Sequence, residues 1–581
     1  MPNAESATDH AAIMPNGESH TEAGRVRPAA ALTFQRWAEV AETVRATSRR
    51  LEKLGYLQSY LLTLDDPSLA IASRFFSGIV FPRHDSRTTQ VGGSIIFGAL
   101  AAATGVAEGV LVERYLAHGD TGDLAGELLG ARQASQIALV EVERLFAELA
   151  LTRGTLARRV LARATLERLG GLEARYLIKL LGGELRIGLK EAQVEEALAK
   201  TFGVSLGIVR RANLLRGDIG EVALLARRGT LAVAQLALFH PIGFMLATPL
   251  PTAADVAASL PDPFAVEHKY DGIRAQAHLD GGRVVLFSRT LADITGGYPE
   301  VVAALTDLGL GTVLDGELVA YDLERPERAL PFKALQQRLG RKRPTAALIA
   351  ALPVGFVAYD ILAAAGTLVI DESYAERRRR LETIAWREPA VRLAPMRLAH
   401  DVADVETTFA AARAAGNEGI VAKDLASLYM PGRRGKSWIK LKQPMATLDV
   451  VVTSVERGHG RRHAVLSDYT FAVRASATDP TLLEVGKAYN GLTDAEIRAL
   501  TRRFEALTVE RRGGFHRVRP EVVLEVTFDT VQASDRHRAG YALRFPRIVR
   551  VRDDKPATDI DTLDRVRELA GAGEANCLSR P

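Results

Sequence analysis

The period of the hydrophobic pattern changes once along this 581-residue chain, and that change limits the possible folds more than any other feature. From Thr33 to about Phe239, apolar residues recur every three to four positions. Phe34, Trp37, Ala38, Ala41 and Val44 form one such stripe behind Thr33, a residue suited to cap a helix. Leu172, Tyr176, Leu177, Leu180 and Leu181 repeat the stripe until Gly182 and Gly183. Across residues 240–251 (HPIGFMLATPLP) proline content rises and the period falls to two. An all-α N-terminal domain over 33–239 is therefore expected, followed by an α+β domain over 240–444. Short β-type runs at 283–289, 312–321, 354–360, 418–423 and 437–442 alternate with helical stretches such as 375–385. A third segment, 445–566, opens with LDVVVTSVER and later alternates Val522, Leu524, Val526 and Phe528. Its one helix is announced by Thr493 and Glu496 at capping-box spacing. Several strands and one helix suit a small OB-fold β-barrel. Residues 1–32 and 567–581 read as a disordered tail and a flexible tail.

Composition narrows the class. A chain this long exceeds what one core serves, and 47% hydrophobic with 25% charged residues describes a soluble globular protein. The longest apolar stretch, 346–359, is interrupted by Pro353 and Gly355 and stops at Asp360, too short for a membrane span. Residues 1–32 lack the basic start and apolar run of a secretory signal. The single cysteine, Cys577, permits neither an intramolecular disulfide nor a multi-cysteine zinc site, which fits a reducing, cytoplasmic setting. A formal charge of +5 allows a polyanionic partner without requiring one.

The sharpest local signal is Lys269-Tyr270-Asp271-Gly272-Ile273-Arg274, preceded by Glu267. A Lys-x-Asp-Gly-x-Arg pattern arises by chance in roughly 0.004 of random chains this long. A neutral lysine can attack the α-phosphorus of a nucleotide, and Arg274 and Arg289 supply positive charge that would help lower its pKa. Taken alone, an exposed hairpin lysine explains the same residue. In TVLDGELVAYD, Asp315 and Glu317 share one strand face, and Glu418 opens EGIVAKD. Carboxylates brought together repel unless a divalent cation lies between them or one keeps its proton. In SWIKLK, Lys440 and Lys442 share a face, which suits an overlying phosphate or a merely solvated strand end. Residues 544–555 carry five cations and two anions, a stripe suited to a triphosphate or a DNA backbone, or to a protected edge strand. The turn LRIGLKE, with Arg186 and Lys190 beside Gly188, offers phosphate an approach to the backbone, or is a solvated helix start.

Taken in order, KYDGIR, Arg289, LDGEL, FVAYDIL, EGIVAKD, SWIKLK and RFPRIVRVRDDK resemble the motif series of ATP-dependent DNA ligases, members of the covalent nucleotidyltransferases with an ATP-grasp-like core. The match covers about 240–555, and the helical region before it resembles the DNA-binding domain of the three-domain ligases. The resemblance implies that Lys269 is the residue adenylylated and that Glu267 accepts a hydrogen bond from the adenine amino group. Arg274 and Arg289 would hold ribose and phosphate, and Glu317 would contact ribose or metal. Tyr359 would stack on adenine, Glu418 would bind metal, Arg434 and Lys440 would contact ATP, and Lys442 would add charge at the phosphates. Arg544, Arg547, Arg552 and Lys555 match the last motif, which orients the leaving pyrophosphate. ATP and Mg2+, or Mn2+ in its place, are the implied cofactors; nicked double-stranded DNA in replication, repair or recombination is the implied partner of a monomeric enzyme with no membrane association.

Two departures stand out. The family often has Ser-Arg-Asn-Gly where this chain reads Ser288-Arg289-Thr290-Leu291. Lys423 has the opposite strand parity to Glu418, so both face a nucleotide only if the strand twists or ends between them. An RNA-sealing or capping-type nucleotidyltransferase shares the core without needing the helical domain. A DNA-end scaffold with a degenerate core is a non-enzymatic alternative, against which the retained Lys269, Glu317, Glu418 and Lys440 argue. Nicotinamide-dependent DNA ligases carry a four-cysteine zinc site that this chain cannot build.

Overall fold

The computed structural model describes residues 29–325, 328–443, 446–458 and 460–578. Most of the expected N-terminal tail, and the expected junction at Pro444, fall outside those residues. Residues Ala29–Leu32, assigned above to the tail, form a 3-10 turn. Its last residue leads into Thr33, whose hydroxyl accepts a hydrogen bond from the Arg36 amide and caps helix Phe34–Ala46.

Twelve α-helices between Phe34 and Arg227 share one core. Trp37 lies at its centre, stacked on Phe34 and meeting Phe75 and Tyr176 edge-on. Strands then take over, in chain order: β1 Leu246–Pro249, β2 Phe264–Lys269, β3 Ile273–Asp280, β4 Arg283–Ser288, β5 Thr312–Ala320, β6 Val354–Ala364, β7 Thr367–Leu368, β8 Val391–Leu393, β9 Met396–Ala399, β10 Gly419–Asp424 and β11 Arg434–Lys442. They build two sheets, one ordered β1-β11-β10-β2-β9 and one ordered β4-β3-β5-β6-β7 with β8 beside β6. The short turn between β2 and β3 passes from one sheet to the other, and it holds Tyr270, Asp271 and Gly272.

The remaining strands, β12 Thr447–Arg457, β13 Leu466–Arg474, β14 Leu482–Ala488, β15 Thr508–Arg512, β16 Phe515–Val518, β17 Val523–Thr527, β18 Thr530–Ala533, β19 Tyr541–Arg544 and β20 Arg547–Val551, form the strand-rich C-terminal domain. One edge of β12 follows β13, while its other edge is shared by β17 and β16. That division turns the sheet toward a barrel around Val450, Val452, Phe471 and Leu524. Helix Asp494–Leu507 closes the core with Ile497, Leu500 and Phe504, and its capping box of Thr493 and Glu496 is formed in full. Helix Leu563–Leu578 runs through most of the stretch expected as a flexible tail and starts from buried Leu563 and Val566; residues 579–581 of that tail fall outside the described residues.

The C-terminal domain touches the helical domain through two glycines. A Cβ on Gly119 would lie 2.5 Å from the His463 ring, and one on Gly460 would lie 2.8 Å from the Arg186 guanidinium. Both glycines have positive φ, so hydrogen is the only side chain that fits there without strain. The described residues contain no single helix long and apolar enough to cross a membrane.

Candidate active site

One face of the β1-β11-β10-β2-β9 sheet gathers most of the charged motifs. In antiparallel register Lys269 lies opposite Gly419, Glu267 opposite Val421, and Lys423 opposite both Ala265 and Trp438. Directly paired residues share a face, so Glu267, Lys269, Lys423, Trp438, Lys440 and Lys442 all project to the same side. Glu418 lies just before β10, where its amide donates to the Lys269 carbonyl. The strand therefore ends between Glu418 and Lys423, and the parity conflict disappears. A Cβ on Gly419 would lie 2.2 Å from the Leu441 carbonyl oxygen, so close approach of β11 also demands glycine there.

Lys269 Nζ lies 2.5 Å from Glu418 Oε2. Burial pulls the Glu418 carboxyl upward, but Lys269 and then Lys442 outweigh it and hold the group below its usual range. Asp271, from the turn after Lys269, shares a hydrogen bond with Glu418 and is pushed up to about 6 by burial and by Glu418. Burial pushes Glu317, on the facing sheet, up to about 8, against the pull of Lys269 and Arg274. Lys440 is lowered by burial, then by Lys269, Arg434 and Lys442. Two carboxyls that resist ionisation, Asp271 and Glu317, and one that ionises readily, Glu418, thus stand beside a row of cations.

Arg274 lies on β3 opposite Glu317, yet its fork is engaged elsewhere: Nε and Nη2 pair with Asp315 at 3.1 and 2.7 Å, and Nη1 donates to the Met245 carbonyl. Tyr429 donates a further hydrogen bond to Asp315. The Tyr359 ring stands 5.7 Å from this guanidinium. Arg289 is exposed beyond β4, and Arg434 is exposed at the start of β11; neither makes a side-chain hydrogen bond or ion pair among the described residues. At Leu291, where the related pattern has glycine, φ is +65°, and a Leu291 amide to Ser288 carbonyl bond closes the turn. The turn survives the substitution by placing leucine in a left-handed conformation.

The terminal basic stripe is not brought to this face. Arg552 and Lys555 turn inward onto Asp449, Arg552 at 2.9 Å and Lys555 at 2.7 Å, while Arg544 stacks over exposed Phe545 and Arg547 lies exposed on β20. Asp271 and Asp315 stood in the named motifs without a role of their own, and Tyr374 and Tyr429 were not named; all four belong to the site. Asp271 lies inside the lysine pattern and was legible there; the pairing of Asp315 with Arg274, and the roles of Tyr374 and Tyr429, depend on partners 41 to 114 residues away.

A lysine paired with a carboxylate beside a row of cations has the chemistry that carrying a nucleotide on a lysine requires, as in the covalent nucleotidyltransferases. Residues 244–442 match the family model described as ATP dependent DNA ligase domain, 33–199 that of DNA ligase N terminus, and 462–555 that of ATP dependent DNA ligase C terminal region. A "Probable DNA ligase" of Koribacter versatilis is 46% identical over 92% of this chain and 96% of its own length. A "DNA ligase" of Methanothrix thermoacetophila is 35% identical over 92% and 98%. A solved structure described as "Pmar-Lig_PreS3" shares the fold at TM-score 0.57 and 16% identity, covering 89% of this chain and 99% of that one. The chain belongs to the ATP-dependent DNA ligases, in the form with a helical domain ahead of the catalytic core and a strand-rich domain behind it.

Proposed function

We propose that this ligase seals nicks in duplex DNA by three phosphoryl transfers, with Lys269 as the residue charged and a divalent cation held at Glu317 and Glu418. Lys269 Nζ, once neutral, attacks the α-phosphorus of ATP and pyrophosphate leaves. The AMP moves from lysine to the 5′-phosphate of the nick. The 3′-hydroxyl then attacks that phosphate, AMP leaves, and the strand is continuous. The observation that supports this most directly is the Lys269–Glu418 pair on a face shared with Lys440 and Lys442. Glu418 holds the Lys269 side chain in place before ATP binds, and the cationic row favours the neutral lysine and meets the phosphate oxygens.

The donor set suits Mg2+. Among the described residues no cluster of three or more His, Cys, Asp or Glu side chains is ready to hold a metal unaided. Magnesium commonly takes one or two carboxylates and fills its remaining positions with water and substrate phosphate, which matches two glutamates beside a triphosphate site. When bound, the ion neutralises phosphate charge and draws the protons off the crowded carboxyls. Tyr359 lines the base pocket, Glu267 reads the adenine amino group, Arg274 and Arg289 serve ribose and phosphate, and Arg434 contacts ATP. Arg544, Arg547, Arg552 and Lys555 orient pyrophosphate when the C-terminal domain reaches the core. In the structure Arg552 and Lys555 pair with Asp449 of their own domain, and the C-terminal domain meets the helical domain at Gly119 and Gly460. We place the enzyme in the cytoplasm, acting as a monomer.

Incubation with α-labelled ATP and Mg2+ should give protein-bound label that pyrophosphate removes, and nicked duplex should then be sealed. Absence of label after incubation with ATP would sink the reading. Transfer to nicked RNA but not DNA would overturn the duplex-DNA assignment.

A further inference from the structure

The role of Lys423 is the feature that the ligase motifs leave open. Its ammonium is buried in a cage of three rings, with centroids 4.4 Å away at Trp438, 4.5 Å at Tyr374 and 5.2 Å at Tyr359. Two of its protons are directed. One meets Glu267 Oε2 at 2.6 Å, and one meets the Tyr359 main-chain carbonyl at 2.9 Å. Glu267 is equally enclosed: the Tyr374 hydroxyl donates to Oε1, and Arg378 Nη1 stands 3.4 Å from the same oxygen. Burial pushes the Tyr374 phenol well above its ordinary value, so it stays a donor.

These contacts join two parts of the base pocket that serve different purposes. Tyr359 offers a ring for the face of a base, and Glu267 offers an oxygen for its edge. We infer that Lys423, with Tyr374, is a positioning residue that locks the face-stacking ring and the edge-reading carboxylate in one register and so sets selection of a purine bearing a 6-amino group. This rests on the reading of Glu267 and Tyr359 as the base pocket. A carboxylate whose oxygens are already met by three donors has lone pairs to spare but no proton to give. It accepts from the amine of adenine and repels the carbonyl oxygen of guanine. Without the lock, either group can rotate and the discrimination is lost.

The test compares lysine charging by ATP, GTP and purine riboside triphosphate, which lacks the 6-amino group, in wild type, Tyr374→Phe, Lys423→Met and Lys423→Arg. Tyr374→Phe removes one oxygen from a well-packed ring and should fold even if Lys423→Met does not. Wild type should favour ATP over purine riboside triphosphate. In Tyr374→Phe that preference should fall by about tenfold or more, the scale of one hydrogen bond to a charged group. The loss should appear in KM for ATP more than in kcat, and Lys423→Arg should recover part of what Lys423→Met loses. Unchanged preference in Tyr374→Phe, with only a lowered melting temperature, would assign these residues to core stability and overturn the inference. Wild type that takes no label from ATP would instead remove the ligase reading beneath it.

Discussion

Replacing Glu317 with glutamine should stabilise the metal-free protein, and by an amount that grows with pH. Burial raises this carboxyl from 4.5 to about 8. Well below pH 4.5 both folded and unfolded chains hold the proton, and the substitution changes little. Between 4.5 and 8 the unfolded chain releases its proton while the folded chain keeps it, so wild-type stability declines as pH rises. Above 8 the folded chain carries a poorly solvated anion. At about 1.4 kcal/mol per pH unit the ceiling is about 5 kcal/mol, and water and counter-ions reaching the site cut this to about 2–3 kcal/mol. For a catalytic domain of this size that is about 5–10 °C in melting temperature. Thermal unfolding of wild type and Glu317→Gln in chelator from pH 5 to 9 should give curves that draw together toward the acid end and separate toward pH 9, the variant higher. Addition of ATP with Mg2+ should raise the wild type and leave the variant behind, because an amide is a poor ligand for a hard cation. Parallel curves at every pH, or separation widest at the acid end, would refute a buried proton on Glu317.

Lys269→Arg should abolish protein-bound AMP despite equal charge, because a guanidinium does not become neutral in a protein; label on that variant after incubation with α-labelled ATP would remove Lys269 as nucleophile. Asp315→Asn should cost about 3–5 kcal/mol in denaturant unfolding, since Arg274 would be left buried without its partner; a loss below about 1 kcal/mol would show that the Met245 carbonyl and the nearby rings suffice. Leu291→Gly should gain about 1 kcal/mol by removing a left-handed leucine, whereas a decrease would mean that its packing outweighs the backbone strain.

Much of this was legible because strand and helix periods speak locally. The Thr33 and Thr493 caps, the runs that became β4, β5 and β10, and the shared face of Lys440 and Lys442 all follow from neighbours within a few residues. Lys269 and Glu418 were both candidates, but their contact at 2.5 Å depends on β2 lying against β10, across about 150 residues of chain. The engagement of Arg274 by Asp315 was hidden for the same reason, although both residues stood in named motifs. Parity left Lys423 open, because the strand boundary between Glu418 and Gly419 does not show in alternation alone. The C-terminal helix was missed because its small and polar residues carry little apolar periodicity beyond Val566.

The lysine row on the β2, β10 and β11 face has an evolutionary consequence. Lys440 is lowered by burial and by its cationic neighbours, so in the empty protein these charges strain one another. Neutralising exposed Lys442 should ease that strain. Drift constrained by folding alone would therefore erode this face early and leave the hydrophobic cores almost untouched. A lineage that ceased to process nucleotides would first show it here, as a stable, well-packed relative with a bleached face.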